Sequence, residues 1–212
     1  MGKISQGVLG GFSGKVGNVG GGTWKGIDYM RIKPANVDNP RTQGQIDQRS
    51  KFSVTLKFLQ SMTDFLRVGF KLYANKMTQF NAAMSYNLNN AITGTYPNFV
   101  IDFATALVSR GGLKGALNAG VTSSGGLVEF TWVDNTGSGN ASATDKALLV
   151  VYNPAKDEAV YDTSGVVRPT ASQNLAMPSD YVGDTVEAFI GFISDDGKEL
   201  ANSVYIGSVT VA

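Results

Sequence analysis

The chain has 212 residues, 42% of them hydrophobic and 17% charged, with 26 glycines and neither cysteine nor histidine. Without those two residue types it has no disulfide framework, no thiolate nucleophile, no Ser-His-Asp or Cys-His triad and no imidazole acting near pH 7. The net charge of +1 conceals an asymmetry: residues 1–110 hold 13 basic and 5 acidic side chains, and residues 111–212 hold 5 and 12. Such a split fits ordinary solvated faces, complementary surfaces on neighbouring subunits, or a nucleic-acid surface. The basic residues are dispersed and no RNP or zinc-finger pattern is present, so nucleic acid is not expected as a partner.

Ten glycines fall within residues 1–26, most of them in the stretch GGFSGKVGNVGGGTWKG at 10–26. A flexible linker has no use for Val8, Phe12, Val16, Val19 and Trp24. The reading is an extended arm or hairpin turning near Gly20-Gly21-Gly22, then a strand from Thr23 to Lys33. In that strand Lys25, Ile27, Tyr29, Arg31 and Lys33 share one face, and Trp24, Met30 and Ile32 the other. Pro34 and Pro40 bracket a turn.

Thr42 and Gln45 form a capping-box pattern. Ile46, Phe52, Leu56, Leu59, Met62, Phe65 and Leu66 then recur at three- and four-residue steps, predicting a helix over 42–68 with a break or kink at Gly69. A second helix is predicted over 76–92, with Met77, Phe80, Met84 and Leu88 on one face and Gly94 and Pro97 beyond its end. From Asn98 the period becomes two, suggesting a strand through Phe99, Ile101 and Phe103. Beyond residue 120 the pattern is all-β, with strands at 127–133, 146–152, 158–161, 166–168, 173–176, 185–194 and 201–211. That spacing suits a sandwich of immunoglobulin or fibronectin-III type, with Trp132 in its core and Tyr181 or Tyr205 as a corner tyrosine. The expected fold class is therefore α+β. Residues 1–41 form a glycine-rich arm and strand, 42–97 a helical hairpin, 98–120 a connecting strand and linker, and 121–212 the sandwich.

Motifs for chemistry fail residue by residue. Gly14-Lys15 has Leu9 where a phosphate-binding loop needs glycine and Val16 where it needs Ser or Thr, and Gly20-x-Gly22 has Lys25 in place of a third glycine. Asp195-Asp196-Gly197 lacks the rest of a calcium loop. Glu129, Glu158, Glu187 and Glu199 all lie in the β half, with no signature that pairs them for acid-base work. Asp102, inside an apolar stretch, is expected to have a hydrogen-bonded structural role. No catalytic residue, metal ligand or cofactor is expected, and a small-molecule ligand is not the leading expectation. The first residues lack the apolar run of a signal peptide, which implies synthesis in the cytoplasm without secretion. No window approaches a membrane span.

Met1-Gly2-Lys3-Ile4, Gly10-Gly11-Phe12-Ser13-Gly14-Lys15-Val16-Gly17-Asn18 and Trp24-Lys25-Gly26-Ile27-Asp28-Tyr29-Met30-Arg31 form distinctive blocks. With Pro40-Arg41-Thr42, Gln45, Tyr96-Pro97-Asn98, Ser109-Arg110-Gly111 and Asn202 to Gly207, they resemble a bacterial domain-of-unknown-function family of about this length. The chain departs from that pattern at Gly20, where an apolar residue is expected. The Trp-Lys-Gly strand followed by proline and a Thr-x-x-Gln helix is more loosely similar to small structural proteins of phage and prophage regions. That resemblance implies a non-enzymatic structural subunit of a phage-like virion or other large assembly, with copies of itself or other structural proteins as partners and incorporation into a particle as its destination. The expected interface is Phe12, Val16, Val19, Trp24, Lys25, Ile27, Tyr29, Arg31, Ile32 and Lys33, docking by strand addition, with the sandwich facing outward. The competing expectation is a module whose sandwich loops at 135–140 and 179–184 bind a carbohydrate or surface ligand through exposed aromatics. An enzyme using two of the carboxylates is the third.

Overall fold

A computed structural model describes residues 2–4, 10–32 and 40–212, in two compact units divided after Gln43. The first unit is a four-stranded antiparallel sheet in sequence order: β1 (Lys3–Ile4), β2 (Phe12–Val16), β3 (Val19–Trp24) and β4 (Ile27–Ile32). Its two tight turns are not at the glycine triplet. Val16 pairs with Val19 across Gly17-Asn18, where Gly17 has φ 61°; Trp24 pairs with Ile27 across Lys25-Gly26, where both residues have positive φ, 46° and 79°. Two-residue loops of this kind match the twist of paired strands, whereas Gly20, Gly21 and Gly22 run through the middle of β3. The single strand expected over 23–33 is thus broken at Lys25-Gly26, because the backbone there reverses. Lys33, Pro34 and Val8 lie outside the described residues.

The second unit is layered. Helices α1 (Gln43–Gln60), α2 (Thr63–Gly69) and α3 (Gln79–Asn90) precede a two-stranded ribbon, β5 (Ile92–Thr93) with β6 (Val100–Ile101). Then come β7 (Leu117–Ser124), β8 (Leu127–Val133), β9 (Lys146–Asn153), β10 (Glu158–Asp162), β11 (Ser172–Ala176), β12 (Thr185–Ile193) and β13 (Val204–Thr210). They form a four-stranded sheet, β10-β9-β12-β13, and a three-stranded sheet, β11-β8-β7. The protein is α+β with a β-sandwich.

Strand β9 explains the layering. From Ala147 to Asn153 every residue is buried, so both faces of the strand are covered. Leu148, Val150 and Tyr152 join Phe58, Leu59, Met62, Phe65 and Leu66 of the helices, while Ala147, Leu149 and Val151 join Val128, Phe130 and Trp132 of β8. The helices therefore share a core with the sandwich sheet. Phe58 packs edge-on against Tyr152 and lies 6.1 Å from Phe189, centroid to centroid.

The long helix expected over 42–68 stops at Gln60 and resumes at Thr63, and Phe52 is exposed where its spacing placed it in the seam. Phe58 occupies the core instead. The strand expected from Asn98 is reduced to Val100–Ile101, since Asp102 closes a turn by accepting a hydrogen bond from the Ala104 N–H. No strand forms over 166–168. Arg168 opens a 3-10 turn there.

Trp132 is a core residue, as its pattern implied, and its indole N–H donates to the Arg168 carbonyl at 2.8 Å. Tyr181 is buried at the connection between β11 and β12, and its hydroxyl donates to Glu158.

Candidate functional site

The glycine-rich sheet is the part of the chain whose side chains are least accounted for by its own packing. Every residue of β4 is exposed. Met30 is 72% exposed, Ile32 70%, Val16 58% and Trp24 55%. Single apolar side chains are ordinary at a protein surface, but these are grouped in one sheet.

Pairing register and strand alternation assign the faces. Trp24 pairs with Ile27, Gly22 with Tyr29, and Gly20 with both Arg31 and Lys15. One face therefore carries Lys15, Trp24, Ile27, Tyr29 and Arg31. Val19 pairs with both Ile32 and Val16, and Gly21 with Met30 and Gly14, so the opposite face carries Phe12, Val16, Val19, Met30 and Ile32. The structure brings together nine of the ten expected interface residues in this unit, with Lys33 outside the described residues. It corrects their arrangement: Trp24 stands with Ile27, Tyr29 and Arg31, and Lys25 lies in the turn.

The glycine triplet makes room for side chains on both faces. A Cβ on Gly21 would collide with the Phe12 carbonyl and lie 2.7 Å from its ring, while one on Gly22 would stand 3.1 Å from the Tyr29 hydroxyl oxygen. Phe12 lies over Gly21 and Tyr29 over Gly22, covering backbone that would otherwise be bare. On the Tyr29 face Gly20 contributes no side chain to the floor; Arg31 of β4 passes 3.9 Å from where a Cβ would stand, and Lys15 lies on the other neighbouring strand. Two strand spacings separate those cations, about 10 Å. Lys15, Arg31, Tyr29 and Asn18 line a groove of about 600 Å³ over this floor. Asp28 is on the opposite face, where it accepts a hydrogen bond from the Thr23 hydroxyl.

Strand β4 ends the sheet, and among the described residues no strand pairs with its outer side. A free edge with apolar groups on both faces is a template for an added strand.

Elsewhere the polar groups have local work. Glu158 accepts from Tyr181, Glu187 from Tyr205 at 2.6 Å, and Glu199 from Asn140. At the turn after β12, hydrogen bonds from the Ser194 hydroxyl and the Lys198 N–H hold Asp196 down at about 2. Among the described residues no cluster of three or more carboxylates could hold a metal ion. The loops at 135–140 and 179–184 contain one aromatic residue, Tyr181, and it is buried. No helix among the described residues is long and apolar enough to cross a membrane.

Sequence reasoning missed the buried polar anchors. Asn87 donates to the carbonyls of Ala83 and Leu107 and accepts from the Leu107 N–H, tying α3 to the chain that follows it. Arg168 is completely buried. It follows Val166-Val167 and precedes Pro169, where the pattern suggested a short strand, and nothing in that pattern marks a buried cation.

A family model described as a family of unknown function, DUF6266, matches residues 11–207, so the chain belongs to that family. No curated protein and no solved structure matches the chain.

Proposed function

We propose that this member of the DUF6266 family is a non-enzymatic structural subunit of a large assembly, phage-like in kind, that docks through its N-terminal sheet. The observation that carries this reading is β4: six consecutive exposed residues, apolar groups on both faces and an outer edge without a strand partner among the described residues. A partner strand added to that edge would satisfy its backbone groups and cover Ile27, Tyr29, Met30 and Ile32.

The occupant is a second copy of this chain. Residues 1–43 carry six basic and two acidic side chains, whereas residues 111–212 carry 5 basic and 12 acidic. The Lys15–Arg31 pair across Gly20 gives the basic face a defined point at which an acidic group of the next copy can sit.

The sandwich is read as being of fibronectin-III type. Its fourth strand, β10, pairs with the third strand, β9, and not with the fifth, β11. That exchange distinguishes its order from the constant-type immunoglobulin arrangement. Folds of this type host many functions, so the order supports the architecture alone.

The test is removal of residues 1–33. Light scattering of the full-length protein at low and high salt should give an oligomer that weakens with salt, because charges meeting at a wet interface are screened within about 10 Å at 0.1 M. The truncated protein should be a folded monomer of unchanged circular dichroism in the aromatic region. Undiminished assembly after the truncation would refute docking through the sheet.

A further inference from the structure

Arg110 is stacked on two aromatic rings of the second unit. Its guanidinium carbon lies 4.3 Å from the centre of the Tyr73 ring and 5.0 Å from that of Tyr86. No carboxylate forms an ion pair with it, and its guanidinium makes no hydrogen bond, among the described residues. The two rings hold the plane of the group, but a ring is no substitute for an oxygen acceptor. Around it a pocket of about 400 Å³ is lined by Ser85, Asn89 and Asn90 together with the two tyrosines.

The backbone beneath Arg110 is fixed at three successive residues. The Ser109 hydroxyl donates to the Ala201 carbonyl at 2.9 Å, and the Arg110 N–H donates to the Gly69 carbonyl at 2.9 Å. The Gly111 N–H donates to the Asn202 Oδ1 at 3.0 Å, and a side chain at Gly111 would run into the Leu200 carbonyl. The positive group is therefore placed by long-range contacts and stacked on aromatic rings, with its donors unused. Ordering a flexible arginine is part of the cost of binding an anion, and here the stacking has reduced it.

We propose that this pocket binds an oxyanion, the carboxylate or phosphate group of a small molecule, received by the planar fork of Arg110. The guanidinium matches either group with two parallel hydrogen bonds. Ser85, Asn89 and Asn90 are uncharged and present no competing carboxylate to the fork. The Asn89 and Asn90 amide nitrogens donate to the carbonyls of Ser85 and Tyr86, which orients both side chains. This site shares no residue with the N-terminal sheet, so its test is independent of the assembly reading.

The test uses the full-length protein titrated with acetate, glucuronate and inorganic phosphate, followed through the arginine Nε–H resonances and by calorimetry. The expected result is a saturable shift at Arg110 with Kd of about 1 mM or tighter for at least one probe. The ranking of glucuronate, acetate and phosphate separates a carboxylate site from a phosphate site. Arg110→Lys keeps the charge but loses the fork, and it should weaken the best probe at least tenfold. Ser85→Glu, an exposed change in mid-helix, places a fixed carboxylate on the wall and should abolish binding with no change in melting temperature. It serves if Arg110→Lys does not fold. Shifts that fail to saturate, shifts spread equally over the other arginines, or unaltered affinity in Ser85→Glu would overturn the proposal.

Discussion

Arg168 and Asp145 form an ion pair that solvent does not reach: the Asp145 Oδ2 accepts from Nη2 at 2.9 Å and from Nε at 3.2 Å, and both side chains are essentially fully buried. The remaining donors go to the Asn135 Oδ1 and the carbonyls of Lys114 and Gly115, and the guanidinium lies 3.8 Å from the centre of the Phe192 ring. One side chain thus joins the loops before β7, after β8 and before β9. Arg168→Met leaves Asp145 buried without its counter-charge, held among the described residues only by the Ser142 N–H, and should cost about 3–5 kcal/mol in urea unfolding. Adding Asp145→Asn should recover part of that loss, with the double variant more stable than the sum of the singles by at least ~1 kcal/mol.

Gly21 is needed because Phe12 occupies the space of a side chain. Gly21→Val should remove Phe12 from the sheet and disorder residues 12–32, seen as loss of their amide dispersion and rapid proteolysis. The main melting transition belongs to the second unit and should move by less than ~0.5 kcal/mol, as for substitutions outside a packed core.

Lys15 and Arg31 face each other across Gly20. Lys15→Glu with Arg31→Glu places two acids where an acidic partner is proposed to sit. Dissociation of the oligomer should shift to at least tenfold higher protein concentration, about 1.4 kcal/mol, with its salt dependence reduced or reversed. Mass photometry at two ionic strengths would measure both.

Alkaline pH should destabilise the fold through three tyrosines. Burial, reinforced by a neighbouring carboxylate, raises the phenols of Tyr152 beside Asp157, Tyr181 beside Glu158 and Tyr205 beside Glu187; Tyr181 and Tyr205 reach about 12. Below about pH 10 both folded and unfolded chains keep these protons, and the contribution to stability is complete. Between about 10 and 12 the unfolded chain releases protons that the folded chain retains, so stability falls as pH rises. The urea midpoint should be flat to about pH 9 and then decline. Tyr205→Phe should lessen the slope.

What was legible in the sequence was whatever depends on a short period. Strand 127–133 alternates along its length, and its observed bounds match the expected ones because one face meets the core and the other meets water. The glycine triplet misled because glycine signals freedom, whereas here it signals crowding: Phe12 and Tyr29 lie on it. Of the true turns, Gly17-Asn18 is a recognised hairpin pair hidden beside the triplet, whereas Lys25-Gly26 is not, since a lysine at positive φ is not an expected turn former. Strand β7 has only Leu117, Ala119 and Val121 before a run of Thr and Ser, too little alternation to stand out. The Arg110 pocket was beyond sequence reading, since Tyr73, Tyr86 and Arg110 are brought together only by the packing of the helices and the strands that follow.

The layering around β9 also sets a clock on synthesis. The apolar faces of α1 and α2 are completed by Tyr152 and Phe189. Phe189 leaves the ribosome about 130 residues after Phe58, a delay on the order of 10 s at ordinary elongation rates. For that interval the helices are emerging chain without their floor, and neither a chain halted before β12 nor a fragment that starts after the helices can close the layer.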